Sequence, residues 1–544
     1  MASSNGRGTS FYYLLRLVLD CALTHSTGSS SHTASIHILD DDSLLNVFYL
    51  FRPGIFDDDD DDDDYARQMG GKAWAREKWW YKLTHVCQRW RNLILGSASY
   101  LGLCLVCTIG TPVADMLAHS PPLPLIIDHE GEIGHMEMTA LEDERIALAL
   151  VLRDRVRRIR LCLPAPRLNR LLKAINGEYP TLKYLIIKTL EDGHDALILP
   201  ETLQAPHLHH LMLIGFAFPI GSQLFPTALG LATLGLHMPY PFHFLPTVLL
   251  LWLSSMPQLE TLMIGYYKSH PVSDDEWDEV EGKLVHSMPT LTQTTLPNLR
   301  MFVFRGFSAH IEVLVPLITA PGLENLAISF YHQNTFSVPN LLQFMNRTTD
   351  FSFRYAGFYF SEGAVAVGVQ SRSYEEDKMD GLLMKVECQY LDGLNWQVSS
   401  VAQIFDSLSQ RFSTVEHLTL EDDVPNRPSE ENNVADGSEW RKLLRSFNNV
   451  KTLRIDHRLV GELSRCLRPD GGELDLDLLP ELQELTFIES GDVGDSDAFT
   501  SFIDARQNAG HPVTLILPGI SELPSSSAPV MTTGRNEGGN DPDT

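Results

Sequence analysis

Basic residues are scarce in this chain: 42 Lys and Arg stand against 70 Asp and Glu among 544 residues. The formal charge of −28 argues against a nucleic-acid clamp, which needs a basic face. The seven cysteines are odd in number and irregularly spaced. They make no disulfide framework and suit a reducing compartment. Long hydrophobic runs are missing too, since no stretch reaches the ~18–20 uncharged apolar residues of a membrane span. No glycine-rich phosphate loop follows a strand pattern, and no Gly-x-Ser-x-Gly elbow presents a nucleophile. What is left is a non-enzymatic intracellular protein, cytoplasmic and/or nuclear. It should have no membrane or nucleic-acid partner, no catalytic residue, no metal and no cofactor.

What is present is ordinary folded protein: 44% hydrophobic and 21% charged residues. The length allows roughly two to four domains. Much of the negative charge is local. Residues 57–64 are all aspartate, and Asp40, Asp41 and Asp42 lie close by. Such a run repels itself and should be a solvated loop. The apolar run 11–23 contains Arg16 and Asp20, and reads as a local helix or as a leader that does not join the fold. Residues 1–35 are accordingly expected as an irregular leader. Residues 519–544, rich in Ser, Pro, Gly, Asn and Asp, are expected as a disordered tail.

One pattern recurs. Pro180-x-Leu182-x-x-Leu185-x-Ile187 returns as Pro206-x-Leu208-x-x-Leu211-x-Leu213 and as Pro257-x-Leu259-x-x-Leu262-x-Ile264. Pro297, Leu299, Phe302 and Phe304 repeat it, as do Pro321, Leu323, Leu326 and Ile328, and Pro480, Leu482, Leu485 and Phe487. Four copies lack the proline and begin at Val156, Leu231, Val415 and Val450. The last residues alternate as a strand does, and the proline stops a preceding helix. Upstream, Val401, Ile404, Phe405, Leu408 and Phe412 step at helical spacing, as do Trp440, Leu443, Leu444 and Phe447. Each unit is therefore helix, turn, short strand, and must stack on neighbours to bury its apolar face. Between Leu326 and Val415 the pattern lapses. Phe351, Phe353 and the stretch 364–369 still read as strands, so irregular units are expected there.

This pattern resembles leucine-rich repeats over roughly residues 120–518, although the asparagine usual after the strand is mostly missing. The expected fold is an α/β solenoid of stacked helix-strand units over residues 111–518. A small all-α module over 36–110, holding the acidic loop, would precede it.

In that module Ile38, Leu39, Leu44, Leu45, Val47, Phe48 and Leu50 form an apolar face, with Asp40–Asp42 and Ser43 placed to cap a helix. Leu83, Val86, Cys87, Trp90, Leu93 and Ile94 fall on one helical face beside basic residues, and Ser99-Tyr100-Leu101 follows. Leu39-x4-Leu44-Leu45-x2-Phe48 and Leu83-x2-Val86-Cys87-x2-Trp90-Arg91-x-Leu93-Ile94 resemble an F-box. The run from His85 to Pro124 is similar to the F-box-type proteins expanded in mushroom-forming fungi. Asp40 stands where that family has proline, and the inter-helix connection is longer than usual.

The resemblance implies the substrate-recognition subunit of a cullin-based (SCF-type) ubiquitin ligase. The F-box would dock to the Skp-type adaptor and cullin complex, and the repeats would hold an unknown target protein. The alternative is a repeat scaffold or interaction protein with a vestigial F-box. By resemblance the adaptor contacts are Leu39, Leu44, Leu45, Phe48, Val86, Cys87, Trp90, Leu93 and Ile94. Target contacts should come from residues between the apolar strand positions, which point out of the core. These are Arg157, Arg158, Lys183, Tyr184, His209, His210, Arg300, Glu324, Glu416 and Lys451. Cys104-x-x-Cys107 has no second pair to complete a metal site, and the aspartate run lacks the glycine and spaced ligands of a calcium loop. The arginines at 153, 155, 157, 158 and 160 read as the solvated face of a first repeat.

Overall fold

A computed structural model describes residues 39–50, 52, 79–130, 140–190, 197–217, 221–239, 246–267, 293–331, 337–348, 353–371, 383–389, 393–424, 437–468, 478–488 and 498–516. The leader, the aspartate run 57–64 and the tail lie outside them. The chain divides into two compact units. One comprises residues 1–269, 288–304 and 317–322, and the other comprises 270–287, 305–316 and 323–544.

The first unit opens with four short helices: α1 (Asp41–Leu50), α2 (Trp79–Thr84), α3 (Gln88–Gly96) and α4 (Ala98–Leu101). α4 ends because Gly102 adopts the left-handed conformation (φ 63°) that a side chain disfavours. Strand β1 (Leu105–Cys107) follows at once and pairs in parallel with β2 (Leu125–Glu130). The repeat sheet thus starts inside the span assigned to the helical module, ahead of the boundary at 110.

The sheet continues in parallel through β3 (Val156–Leu163), β4 (Tyr184–Thr189), β5 (His210–Ile214), β6 (Thr233–Pro239) and β7 (Thr261–Tyr267). Short β8 (Thr294–Thr295) stands apart from it, paired in parallel with β10 (Ile318–Thr319), and β9 (Met301–Gly306) follows β7 in the sheet. Helices alternate with these strands: α5 (Val113–His119), α6 (Ala140–Leu150), α7 (Ala165–Leu172), α8 (Leu224–Thr227) and α9 (Pro246–Ser254). The register explains the motif. Ile159, Leu185, Leu211, Leu234 and Leu262 are successive partners across five strands, and so are Leu161, Ile187, Leu213, Leu236 and Ile264. All ten are buried, forming two continuous apolar ladders that no single repeat could hide.

The second unit contains α10 (Ser308–Leu314), β11 (Asn325–Tyr331), α11 (Pro339–Thr348), β12 (Tyr355–Ser361), β13 (Ala364–Gln370) and β14 (Leu383–Gln389). After these come α12 (Leu394–Phe412), β15 (His417–Asp422), α13 (Gly437–Leu444), β16 (Thr452–Ile455), α14 (Val460–Leu467), β17 (Glu484–Phe487), α15 (Thr500–Asn508) and β18 (Thr514–Ile516). Its strand order is β11-β14-β13-β12-β15-β16-β17-β18. The irregular region is a hairpin folded into the sheet. β14 runs parallel to β11, β13 is antiparallel to both β14 and β12, and β12 runs parallel to β15. Two reversals restore the original direction, so the repeats resume. The strand expected around Phe351 and Phe353 begins later, at Tyr355. Phe353 instead stacks on Phe412 (5.7 Å), and Phe351 is outside the described residues. Phe358, Phe405, Phe412 and Phe447 form one aromatic core, with centroids 4.6–6.1 Å apart along successive contacts.

Neighbouring repeats are also stapled by side chains. In five repeats the residue just before the first apolar position of the motif reaches back to a carbonyl one strand earlier. Arg155 donates to Leu123 O (3.0 Å), Thr181 to Val156 O (2.9 Å), Asn298 to Pro257 O (2.9 Å) and Thr414 to Phe353 O (2.9 Å), and Asn449 donates to Ser413 O. The job that the resembling family gives to an asparagine after the strand is done here before it. At the end of the chain's last repeat the buried Arg506 donates to Leu479 O, Pro480 O and Leu482 O at 2.8–3.4 Å, filling the turn into β17.

Candidate interaction surfaces

α1 starts where Asp40 caps it. Its Oδ1 accepts from the Ser43 N–H at 2.7 Å, and this bond holds the carboxyl below the usual carboxylate range. Arg89 ties that end to α3, donating from Nη2 to Asp41 Oδ1 (2.8 Å) and to Leu39 O (2.6 Å). Leu44 and Phe48, one turn apart, face inward, and the Phe48 ring meets the Trp90 ring edge-on at 4.9 Å. Tyr100 closes the other end with a 3.0 Å bond from its hydroxyl to Asn46 Oδ1.

This geometry corrects part of the expected adaptor face. Leu44, Phe48, Trp90 and Ile94 are buried, and they hold the helices together rather than present a surface. The single helical face expected from Leu83 to Ile94 is interrupted. α2 stops at Thr84, Cys87 is extended (φ −156°), and its Sγ accepts from the Trp90 N–H at 3.5 Å as the N-cap of α3. Leu39 and Val86 are exposed, and Leu45 and Leu93 are half-buried. The structure adds Tyr49, Tyr100 and Leu50, the last 82% exposed. A helical wheel marks which positions are apolar. It cannot say which side of a thin helical layer the rest of the module covers.

In the repeats the residues expected to contact a target lie at the entry to the strands. Lys183, His209, Arg300, Glu416 and Lys451 immediately precede β4, β5, β9, β15 and β16, and Glu324 precedes β11. Each of the first five donates its backbone N–H to the same entry position of the strand before, at 2.8–2.9 Å. Arg157, Arg158, Tyr184 and His210 lie on β3, β4 and β5. All ten are half-buried or exposed. In the first unit Arg158, Tyr184 and His210 are direct register partners, with the Arg158 guanidinium 5.8 Å from the Tyr184 ring and that ring 6.0 Å from His210. Burial, with Arg158 adding to it, pushes the His210 pKa down to about 4. In the second unit Glu416 accepts from Arg354 Nε and Lys451 Nζ, both at 3.0 Å, and these two cations hold its carboxyl below the usual range. His417 stacks on Tyr355 at 4.6 Å.

Among the described residues no three His, Cys, Asp or Glu side chains are grouped so as to hold a metal ion. Cys104 and Cys107, three apart along an extended chain, are both buried, and Cys104 packs with Val106 and Ile126. Among the described residues no helix is long and apolar enough to cross a membrane.

No family model matches the chain, and no curated protein matches it. Among solved structures the chain is similar to a TLR13–ssRNA13 complex, at 10% identity, with a TM-score of 0.25. The match covers 76% of this chain and 48% of that one. At that score the likeness carries no argument. The α/β repeat architecture rests on the parallel register and the alternating helices described above.

Proposed function

We propose that this protein is the substrate-recognition subunit of a cullin-based ubiquitin ligase. Its N-terminal helices would dock to a Skp-type adaptor, and its repeats would hold a target protein. The observation that carries this reading is the spare apolar surface of the N-terminal module. Leu44, Phe48, Trp90 and Ile94 are buried in its core, and the side chains of Leu39, Leu50 and Val86 are left exposed outside it. Large apolar side chains left exposed outside a core are what a docking surface is built from. The subunit would supply proximity, raising the target's effective concentration at the ligase, and no chemistry.

The test is capture of the full chain by purified Skp-type adaptor, comparing wild type with Val86→Asp and Leu50→Asp. Both sites are exposed, so the fold should survive, as circular dichroism would verify. Binding by wild type that either variant loses supports the docking role, and no binding by wild type removes it. The scaffold reading, with a vestigial F-box, draws on a different observation: Leu44 and Phe48, central to the resembling motif, are buried and unavailable to a partner.

A further inference from the structure

The sheet of the second unit has an open side. Phe358 and Phe360 of β12 face the helices, meeting Phe405 of α12 at 5.4 Å and Trp440 of α13 at 5.7 Å. Alternation turns Tyr355, Gly357 and Tyr359 the other way. Tyr359 is 38% exposed there, whereas the corresponding side of the first unit's sheet holds the buried cluster of Ile186, Met212, Ile214 and Met263. The Tyr359 ring is laid down on the sheet. A Cβ on Gly357 would come within 2.8 Å of its Oη and 3.0 Å of its Cε2 and Cζ, so the ring takes the space that a side chain at 357 would need. One side of the ring rests on backbone, and the other is left to solvent.

Across five strands, the row through this ring is Ser329, Glu387, Ala366, Tyr359 and Glu421. Its only charges are carboxylates. Strands lie about 4.8 Å apart, so Glu421 stands one spacing from Tyr359, and Glu387 two spacings, roughly 10 Å, on the other side. The half-buried Ala366 is all that separates Glu387 from the ring, which leaves room for a guest side chain to enter. Ser329 Oγ donates to Glu387 Oε2 at 3.2 Å. Burial pushes the Glu421 carboxyl above the usual range; Arg454 opposes this, and Asp456 and Asp423 add to it. The neighbouring row, roughly 6.8 Å along the strands, places Lys385 beside Gly368 and Arg454 beside Thr419. At the strand ends the exposed Glu362 and Asp423 add further negative charge, while Arg458 is occupied by the Asp422 carbonyl.

Resting on the reading of the repeats as the target-holding part, we propose that this face binds a basic protein segment, one arginine of which lies on the Tyr359 ring between Glu387 and Glu421. A guanidinium suits the seat because it stacks flat on an aromatic ring and donates paired hydrogen bonds to carboxylates. The molecule's net charge of −28 draws such a segment in from a distance. A single-stranded nucleic acid could stack a base on the ring, but its phosphates would meet the carboxylates on both sides.

The experiment pans a random peptide display library on the full chain, with Tyr359→Ser, Tyr359→Phe and Glu421→Gln as comparators, each checked for fold by circular dichroism. Enriched peptides should be net basic and contain arginine. They should bind wild type at least about fivefold more tightly than Tyr359→Ser or Glu421→Gln, keep their affinity for Tyr359→Phe, and weaken with added salt. The isosteric Glu421→Gln decides the matter if Tyr359→Ser unfolds. Enrichment of neutral or acidic peptides, equal binding to wild type and Glu421→Gln, no enrichment, or tighter binding of a random single-stranded RNA pool would each overturn the proposal. Adaptor capture by the same proteins separates the two readings: Glu421→Gln should still bind the adaptor, and loss of adaptor binding in wild type leaves the peptide result standing.

Discussion

Trp90 and Arg506 illustrate how much single side chains hold. Trp90 closes the N-terminal module from inside, against Phe48, while its N–H uses the Cys87 thiol. Trp90→Ala should cost about 3–5 kcal/mol, the range for losing a buried aromatic. The loss falls on a module of short helices, so hydrogen exchange should rise sharply in residues 41–50 and 88–96 and stay unchanged in β15–β17. A global rise would contradict the module's independence. Arg506 fills the last turn, where Leu479 takes a positive φ of 50°. Arg506→Met keeps much of the volume but leaves three carbonyls without their donor. It should lower stability by about 2–3 kcal/mol in urea titration. Trp90 was readable as apolar within its motif, as an interface residue or as packing between the helices, and the structure gives it the second role; Arg506 showed no pattern at all.

At the scale of elements, the repeats are joined by ladder hydrogen bonds and, at five of them, by the side chain before the motif. Thr181→Val removes a donor to Val156 O and preserves shape, so it should cost about 1 kcal/mol in thermal or urea unfolding. Asp40→Ala removes the cap of α1 and should cost about 1 kcal/mol, read as increased exchange in its first turn. The motif's apolar positions were readable because burial imposes period two along a strand. The position before them was not, since Arg, Thr and Asn share only the ability to donate. β13 was readable as strand, β12 was expected too early at Phe351–Phe353, and the antiparallel pairing was not readable, because direction depends on which neighbours pair.

At the scale of the molecule, buried histidines set the response to acid. Burial pushes the pKa of His129 to about 4 and of His310 to about 3, and His210 also sits near 4. All are depressed from the unfolded value of about 6.5. As pH falls below about 6.5 the unfolded chain takes up protons that the folded chain refuses, so stability drops toward pH 4; above 6.5 these groups contribute no slope. The urea midpoint should fall steadily between pH 6.5 and 4.5. His129, with neither ring nitrogen bonded among the described residues, offers the control: His129→Leu should flatten part of that decline. A midpoint that is constant over this range would contradict the burial of these rings.

By itself the sequence determined that stacked helix-strand units form here, because ten copies of one apolar spacing can be buried only by neighbours in register. Their strands are the ladders of Ile159 through Leu262 and of Leu418, Leu453 and Leu485. Only the tertiary structure decided which apolar residues of the N-terminal helices are core and which are spare. It alone gathered Ile186, Met212, Ile214 and Met263 into one buried apolar cluster. Those outcomes depend on contacts between residues distant in the chain, and periodicity within a segment carries no information about what will come to cover it.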